Sequence, residues 1–168
     1  PYRSLRYVGD HLPSLFQLDS GEGYVVSIFT FSKILSPGLR LGWILANSKL
    51  IDKFVVAKQA MDLCTSPFNQ AIAFAYCQQG LLEKHIDEVI VLYKKKRKVM
   101  LEALEKFMPK HPDIRWTKPD GGLFLWVRLP ETFDVDEMFY QAVKEEVAYV
   151  VGTGFYTDDD GKNAMRLN

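Results

Sequence analysis

The hydrophobic pattern of the first 46 residues predicts two short strands joined by a turn. Residues 24–31 form an aromatic and β-branched run behind two glycines, which is typical of a buried strand. Ser36-Pro37-Gly38 then predicts a turn, because proline fixes φ and glycine tolerates positive φ. The apolar residues between 39 and 45 alternate with other residues, which indicates a second strand.

The middle of the chain has helical periodicity. Apolar residues around position 51 mark one amphipathic helix, and residues 69–79 form an alanine-rich helix that ends at Gly80. A third stripe has spacings of three and four only: Ile86, Val89, Tyr93, Arg97, Met100, Leu104 and Phe107. A single helix over residues 82–107 would be about 39 Å long, so we expect it to connect two domains.

Beyond Pro109 the pattern becomes α+β. Residues 123–129 and 147–151 predict strands, and Asp134 predicts the N-cap of a helix between them. Residues 165–167 indicate the start of one more strand. The pattern therefore predicts strands and helices in both parts of the chain, with the long helix as the connection between two domains.

Charge and composition exclude several classes of function. The chain has 21 basic and 21 acidic residues, so it offers no electrostatic attraction to nucleic acid or to acidic membranes. The basic run at 94–98 is interpreted as a solvated helix face. Apolar stretches are shorter than the ~20 residues of a membrane helix, which favours a cytosolic protein.

The two cysteines and three histidines do not indicate a metal site. Cys64 and Cys77 lack metal-ligand or disulfide-framework spacing, and they are predicted to be buried free thiols. The histidines are scattered along the chain, so no metal ligand is assigned.

The segment from Thr30 to Trp43 carries candidate chemistry. It places Lys33 on a turn after two hydroxyl residues, Thr30 and Ser32, and Arg40 follows at the start of the second strand. Hydroxyls and a guanidinium bind phosphate, and a lysine among apolar neighbours can act as an amine nucleophile. Such a set suits a phosphorylated aldehyde cofactor, although a solvated turn lysine and an arginine paired with any carboxylate also fit the spacing.

This segment closely resembles the lysine motif of class I and II aminotransferases, which are pyridoxal-phosphate enzymes of fold type I. The family pattern is Ser/Thr-x-Ser-Lys, a short spacer, Pro-Gly-x-Arg-x-Gly and an aromatic residue, and every element is present. Residues 1–7, 120–126 and 166–168 resemble further family segments. Residues 151–155 resemble another, with Val151 where proline is usual. The subgroup most similar in character contains aminoadipate and kynurenine aminotransferases, whose domain also occurs in MocR-type transcription regulators.

The resemblance implies the fold and the role of each site residue. It implies an α/β fold in which residues 1–95 are the C-terminal part of the cofactor-binding large sandwich domain and residues 96–168 are a truncated small α+β domain. Lys33 would form a Schiff base with pyridoxal 5'-phosphate and then move the α-proton of the substrate. Tyr2 would donate to the phenolic oxygen of the cofactor, and Arg166 would bind the α-carboxylate of an amino acid. The phosphate would be bound by three side chains, Thr30, Ser32 and Arg40.

The resemblance also implies partners and leaves alternatives open. An amino acid and a 2-oxo acid would be the substrates, and a homodimer in the cytoplasm is expected. Because the family's pyridine-binding aspartate would precede Tyr2 by three positions, the chain is expected to be a fragment that is inactive by itself. The alternatives are the effector domain of a MocR-type regulator and a partner-binding fragment without chemistry.

Overall fold

The backbone of the computed structural model divides into two units, Pro1–Lys94 and Lys95–Asn168. The structure describes residues 2–158 and 160–168, so Pro1 of the first resembling segment lies outside it. The elements of the first unit are α1 (Leu15–Leu18), β1 (Ser27–Thr30), β2 (Gly42–Leu45), α2 (Ser48–Asp62) and α3 (Pro67–Gln78). Helix α4 (Leu81–Phe107) includes the boundary, and it matches the long helix expected over residues 82–107.

Strands β1 and β2 pair antiparallel, with Phe29 opposite Trp43 and Thr30 opposite Gly42. The Phe29 and Trp43 rings are stacked, with centroids 5.1 Å apart and planes 8° from parallel. Two strands form this sheet among the described residues, so much of its apolar surface is exposed, including Ile28. The prediction of a buried strand over residues 24–31 is therefore wrong in both extent and burial.

The second predicted strand is also shorter than expected. Residues Pro37–Leu39 form a 3₁₀ helix, and Arg40 ends it with a left-handed backbone at φ 54°. The side chain of Ser36 caps this helix by accepting the N–H of Gly38 at 3.3 Å. Leu39, where the alternation of apolar residues starts, thus belongs to this helix, and β2 begins three residues later at Gly42.

The second unit contains a four-stranded antiparallel sheet. Its elements are β3 (Arg115–Trp116), β4 (Leu125–Arg128), α5 (Val135–Lys144), β5 (Val150–Val151) and β6 (Ala164–Leu167). The strand order is β3-β4-β6-β5, so β6 lies inside the sheet. Asp134 is the N-cap of α5, as predicted, and it accepts the backbone N–H groups of Asp136 and Glu137.

The core of this unit lies between the sheet and the helices. Val127 and Val135 are almost completely buried, and the Tyr149 hydroxyl donates to the Val135 carbonyl at 2.7 Å. The buried cluster consists of Leu104, Leu125, Val127, Leu129, Val135, Tyr149 and Met165. Burial of this apolar surface is the main favourable contribution to the stability of the unit.

The basic residues at 94–98 on α4 differ in their burial. The four lysines at 94, 95, 96 and 98 are exposed, as the solvated-face interpretation expects. Lys98 forms an ion pair with Glu102 at 3.7 Å. Arg97 is half-buried on the apolar stripe, where its Nε donates to the carbonyl of Pro119. Arg97 therefore lies where the spacing of the apolar residues on α4 predicts, in spite of its positive charge.

The prediction of two buried thiols is wrong for Cys64. This cysteine is exposed in the link between α2 and α3, just after Leu63, which has φ 66°. Cys77 on α3 is partly buried, and burial, followed by the nearby charge of Glu83, raises the pKa of its thiol. None of the described helices is both long and apolar enough to cross a membrane. The described residues also contain no group of three potential metal ligands.

Gly152 and Gly154 in the 3₁₀ helix Gly152–Phe155 give a matched test of packing in the second unit. A Cβ on Gly152 would lie 2.4 Å from the carbonyl oxygens of both Ala164 and Gly161, whereas a Cβ on Gly154 would meet nothing within 4 Å. We expect Gly152→Ala to lower the free energy of unfolding by about 1–3 kcal/mol, because a methyl group so close to these carbonyl oxygens forces the backbone to shift. Gly154→Ala should change it by less than about 0.5 kcal/mol.

Urea denaturation of the intact protein followed by circular dichroism measures both changes. Equal free energies of unfolding for the two variants would contradict the packing of β6 described above.

Candidate functional site

The turn that carries Lys33 is closed by one backbone oxygen. The carbonyl of Phe31 accepts the N–H groups of Ile34 at 3.3 Å, Leu35 at 2.9 Å and Ser36 at 3.1 Å. Ile34 is buried within this turn, while Lys33 is exposed. The sequence therefore anchors the turn through Ile34 and leaves the lysine accessible.

The Lys33 amine is available to an incoming group. No residue in the part of the chain that the structure describes forms a hydrogen bond or ion pair with its Nζ. Its apolar neighbours along the chain, Phe31 and Leu35, are half-buried. The lysine thus lies at the edge of apolar packing rather than inside it.

The two hydroxyl groups next to Lys33 are arranged as a pair. The Thr30 Oγ1 lies 3.0 Å from the Ser32 Oγ and 3.1 Å from the carbonyl oxygen of Leu41, and it accepts the Ser32 N–H at 3.0 Å. A threonine hydroxyl has one hydrogen, so it satisfies one of these two acceptors at a time. When Thr30 donates to Ser32, the Ser32 hydroxyl keeps its own hydrogen for an external acceptor.

Arg40 is held by its own loop. Its Nη1 donates to the carbonyl of Pro37 at 3.0 Å, and its backbone is left-handed. A left-handed backbone costs a residue with a Cβ roughly 1–2 kcal/mol, and such strain is concentrated at functional sites. Its side chain is exposed and keeps further N–H groups for an anion.

Asn69 supports this loop, and the sequence analysis did not identify it. Its Nδ2, from the first turn of α3, donates to the carbonyl of Leu39 at 3.1 Å. The residue is 30 positions from Leu39, and no local motif links the two. Only the packing of α3 reveals the contact.

Gly42 permits the close pairing of β1 and β2. A Cβ at this position would lie 2.5 Å from the carbonyl oxygen of Phe29, which is shorter than van der Waals contact allows. The Thr30 and Gly42 backbones are direct register partners. Glycine at 42 therefore brings the hydroxyl pair and the Arg40 loop together at one end of the hairpin.

The remaining two predicted site residues lie in different units. Tyr2 is half-buried in the first unit, where its carbonyl accepts the Leu5 N–H at 2.9 Å. Arg166 is on β6 of the second unit, opposite Trp126 on β4 and Val150 on β5. Its Cζ lies 4.0 Å from the centroid of the Phe124 ring, a contact that the sequence analysis did not predict.

The donor set around Lys33 fits pyridoxal phosphate. The cofactor needs a primary amine for its aldehyde and several N–H or O–H donors for its phosphate. Lys33 supplies the amine, and Ser32 and Arg40 supply donors that still have hydrogens to give. The absence of a side chain at Gly42 keeps these donors on one short hairpin end.

Comparison with known proteins gives a consistent result. The family described as "Aminotransferase class I and II" matches residues 7–168. The chain belongs to this family. It is 49% identical to Aromatic-amino-acid aminotransferase 1 of Thermococcus litoralis over 168 residues, which is all of this chain and 40% of that relative.

A solved structure and a regulator add to this comparison. The chain is 36% identical, with a TM-score of 0.93, to LysN, an alpha-aminoadipate aminotransferase of Thermus thermophilus complexed with N-(5'-phosphopyridoxyl)-L-leucine. That match covers 99% of this chain and 43% of LysN. The chain is also 31% identical to the HTH-type transcriptional regulator YisV of Bacillus subtilis, over 88% of this chain and 30% of the regulator. The predicted fold type I α/β class is thereby confirmed.

The expected importance of Gly42 can be tested with Gly38, four residues earlier, as the control. A Cβ on Gly38 would lie 3.7 Å from the Ser36 Oγ, an ordinary contact. In the intact protein, we expect Gly42→Ala to weaken pyridoxal phosphate binding roughly 5- to 100-fold, since relieving the clash separates the phosphate donors. Gly38→Ala should change the affinity by less than about threefold.

Absorbance titration with pyridoxal phosphate measures both affinities. If the two alanine variants bind the cofactor equally well, the close approach at Gly42 does not organise the site.

Proposed function

We propose that the protein containing this chain is a pyridoxal-phosphate-dependent aminotransferase that moves an amino group from an L-amino acid to a 2-oxo acid. The observation that carries the proposal is the accessible amine of Lys33 beside the Thr30–Ser32 hydroxyl pair and Arg40, in a chain of this family. The chain spans about 40% of the length of the relatives that it matches, so the proposal concerns the longer protein.

The domain assignment follows from the family. Residues 1–95 are proposed as the C-terminal part of the cofactor-binding large domain, and residues 96–168 as most of the small domain. The division of the backbone after Lys94 is compatible with this assignment. The site residues that bind the cofactor would then belong to the first part, and Arg166 to the second.

Each residue of the Lys33 turn would have a distinct task. Bound pyridoxal phosphate supplies an electron sink that makes the hydrogen on the substrate Cα acidic. The Lys33 Nζ would accept this proton as general base and later donate it as general acid. The Ser32 hydroxyl would donate to the phosphate while Thr30 donates to Ser32, and the Arg40 guanidinium would neutralise the phosphate charge.

We propose one further role in each unit, for Tyr2 in the first and for Arg166 in the second. The Tyr2 hydroxyl would donate to the phenolic oxygen of the cofactor and so stabilise its charge. The Arg166 guanidinium would bind the α-carboxylate through two parallel hydrogen bonds, because its planar fork matches the two oxygens. We also propose a cytoplasmic homodimer, as the family resemblance implies.

The match to YisV supports a second candidate, the effector domain of a transcription regulator. Such a protein would bind the same cofactor through Lys33 but would act through a DNA-binding domain elsewhere in its chain. The identity to the aminotransferase of Thermococcus litoralis is higher, 49% against 31%, and this favours the enzyme. Steady-state transamination assays on the intact protein, together with DNA binding, distinguish the two candidates.

Lys33 gives the most direct test of the proposed enzyme. Borohydride reduction of the intact protein should leave a pyridoxyl group on Lys33, which peptide mass spectrometry locates. Lys33→Ala should lose the visible absorbance of the cofactor and lower turnover by at least about 100-fold, because the amine that moves the proton is absent. Lys53→Ala, at an exposed lysine on α2, is the control and should keep both.

A pyridoxyl group on any lysine other than Lys33 would reject the site assignment. A labelled Lys33 without transamination of any amino acid would favour the regulator.

A further inference from the structure

The guanidinium of Arg166 lies against two aromatic rings that come from different segments of the second unit. Its Cζ is 4.0 Å from the centroid of Phe124 and 4.9 Å from the centroid of Phe155. Phe124 directly precedes β4, and Phe155 ends the 3₁₀ helix after β5. Both distances are within the range of about 6 Å in which a ring face attracts a cation.

One of these rings, Phe155, packs against the residue that pairs with Arg166 in the sheet. Trp126 is the direct partner of Arg166 in the β4–β6 pairing. Its ring meets that of Phe155 edge to face, with centroids 5.2 Å apart and planes at 90°. Phe155 is 47% exposed, so core burial alone does not hold it in place. The residue that pairs with Arg166 thus also supports a ring that contacts its guanidinium.

The charge of Arg166 has no carboxylate beside it. Within residues 2–158 and 160–168, no acidic group forms an ion pair with Arg166, and its Nε is buried without a hydrogen-bond partner. Ring faces attract the cation but accept none of its in-plane N–H hydrogen bonds. The aromatic contacts therefore hold the guanidinium through its faces and leave the hydrogen-bonding capacity of its N–H groups unused among the described residues.

We propose that Phe124 and Phe155 are positioning residues that hold the Arg166 guanidinium in the orientation that binds the substrate carboxylate. This inference rests on the proposed aminotransferase function, and it assigns to the two rings a task beyond packing. A disordered guanidinium would have to be ordered at each binding event, which weakens binding. The rings remove part of that cost before the substrate arrives.

Leucine and tyrosine substitutions in the intact protein separate this role from packing. We expect Phe124→Leu and Phe155→Leu each to raise the KM for the amino acid roughly 3- to 30-fold, the loss of one cation–π contact. The kcat should change by less than about twofold, because carboxylate binding is common to substrate and transition state. Phe155→Tyr keeps the ring face and should retain the wild-type KM.

Phe133 provides the matched control. It is also 47% exposed and lies in the same unit, between β4 and α5, but among the described residues its ring is not one of those that face the Arg166 guanidinium. Phe133→Leu should therefore leave KM and kcat unchanged. A KM that rises equally in Phe133→Leu and Phe155→Leu would overturn the proposal.

A second readout does not depend on activity. Phenylglyoxal modifies accessible guanidinium groups, and peptide mass spectrometry gives the rate at Arg166 in the cofactor-free protein. Loss of either ring should raise this rate at least about threefold, whereas Phe133→Leu should not. Unchanged rates in both leucine variants would overturn the proposal whatever the activity.

The two readouts also separate this proposal from the proposed function. Faster modification with an unchanged KM would show that the rings do not serve carboxylate binding, which contradicts the proposal. A wild-type protein that lacks transamination would refute the proposed function and the role of the rings in carboxylate binding. The modification rates would still decide whether the rings hold Arg166.

Discussion

The arrangement around Lys33 depends on the carbonyl oxygen of Phe31. This one acceptor takes three successive N–H groups and thereby closes the turn within a few residues. The Phe31 N–H in turn donates to the Leu41 carbonyl at 3.0 Å, so the turn is joined to the returning chain. The Gly42 backbone then comes so close to Phe29 that no side chain fits. Each of these contacts brings the candidate phosphate donors closer together.

The two arginines of the candidate site are held by different physical means. Arg40 is fixed by a hydrogen bond to the Pro37 carbonyl, and a bond of this kind, worth about 1 kcal/mol, offsets much of the cost of its left-handed backbone. Arg166 has no such bond from its buried Nε and instead contacts two ring faces. In both cases the charge is held without an acidic partner among the described residues, which suits groups that bind an anion.

Much of the fold follows from local sequence, but the rest depends on distant contacts. The stripe on α4 predicts its extent because spacing along one helix is a local property. Strand ends are less predictable, since the left-handed turn at Arg40 interrupts an alternation that looks continuous. The Lys33 motif is readable because its donors lie within eleven residues. By contrast, the contact of Asn69 with the Arg40 loop and the exposure of Cys64 depend on how α2 and α3 pack. The spacing of apolar residues along the sequence does not predict that packing.

We propose that the hairpin end around Lys33 binds the phosphate of a phosphorylated aldehyde. A crystal structure of the intact protein with pyridoxal phosphate would show whether these groups bind the cofactor. We expect a covalent bond to the Lys33 Nζ, with the phosphate within hydrogen-bond distance of the Ser32 Oγ and the Arg40 guanidinium. A phosphate bound elsewhere, with Ser32 and Arg40 contacting only protein or water, would contradict it.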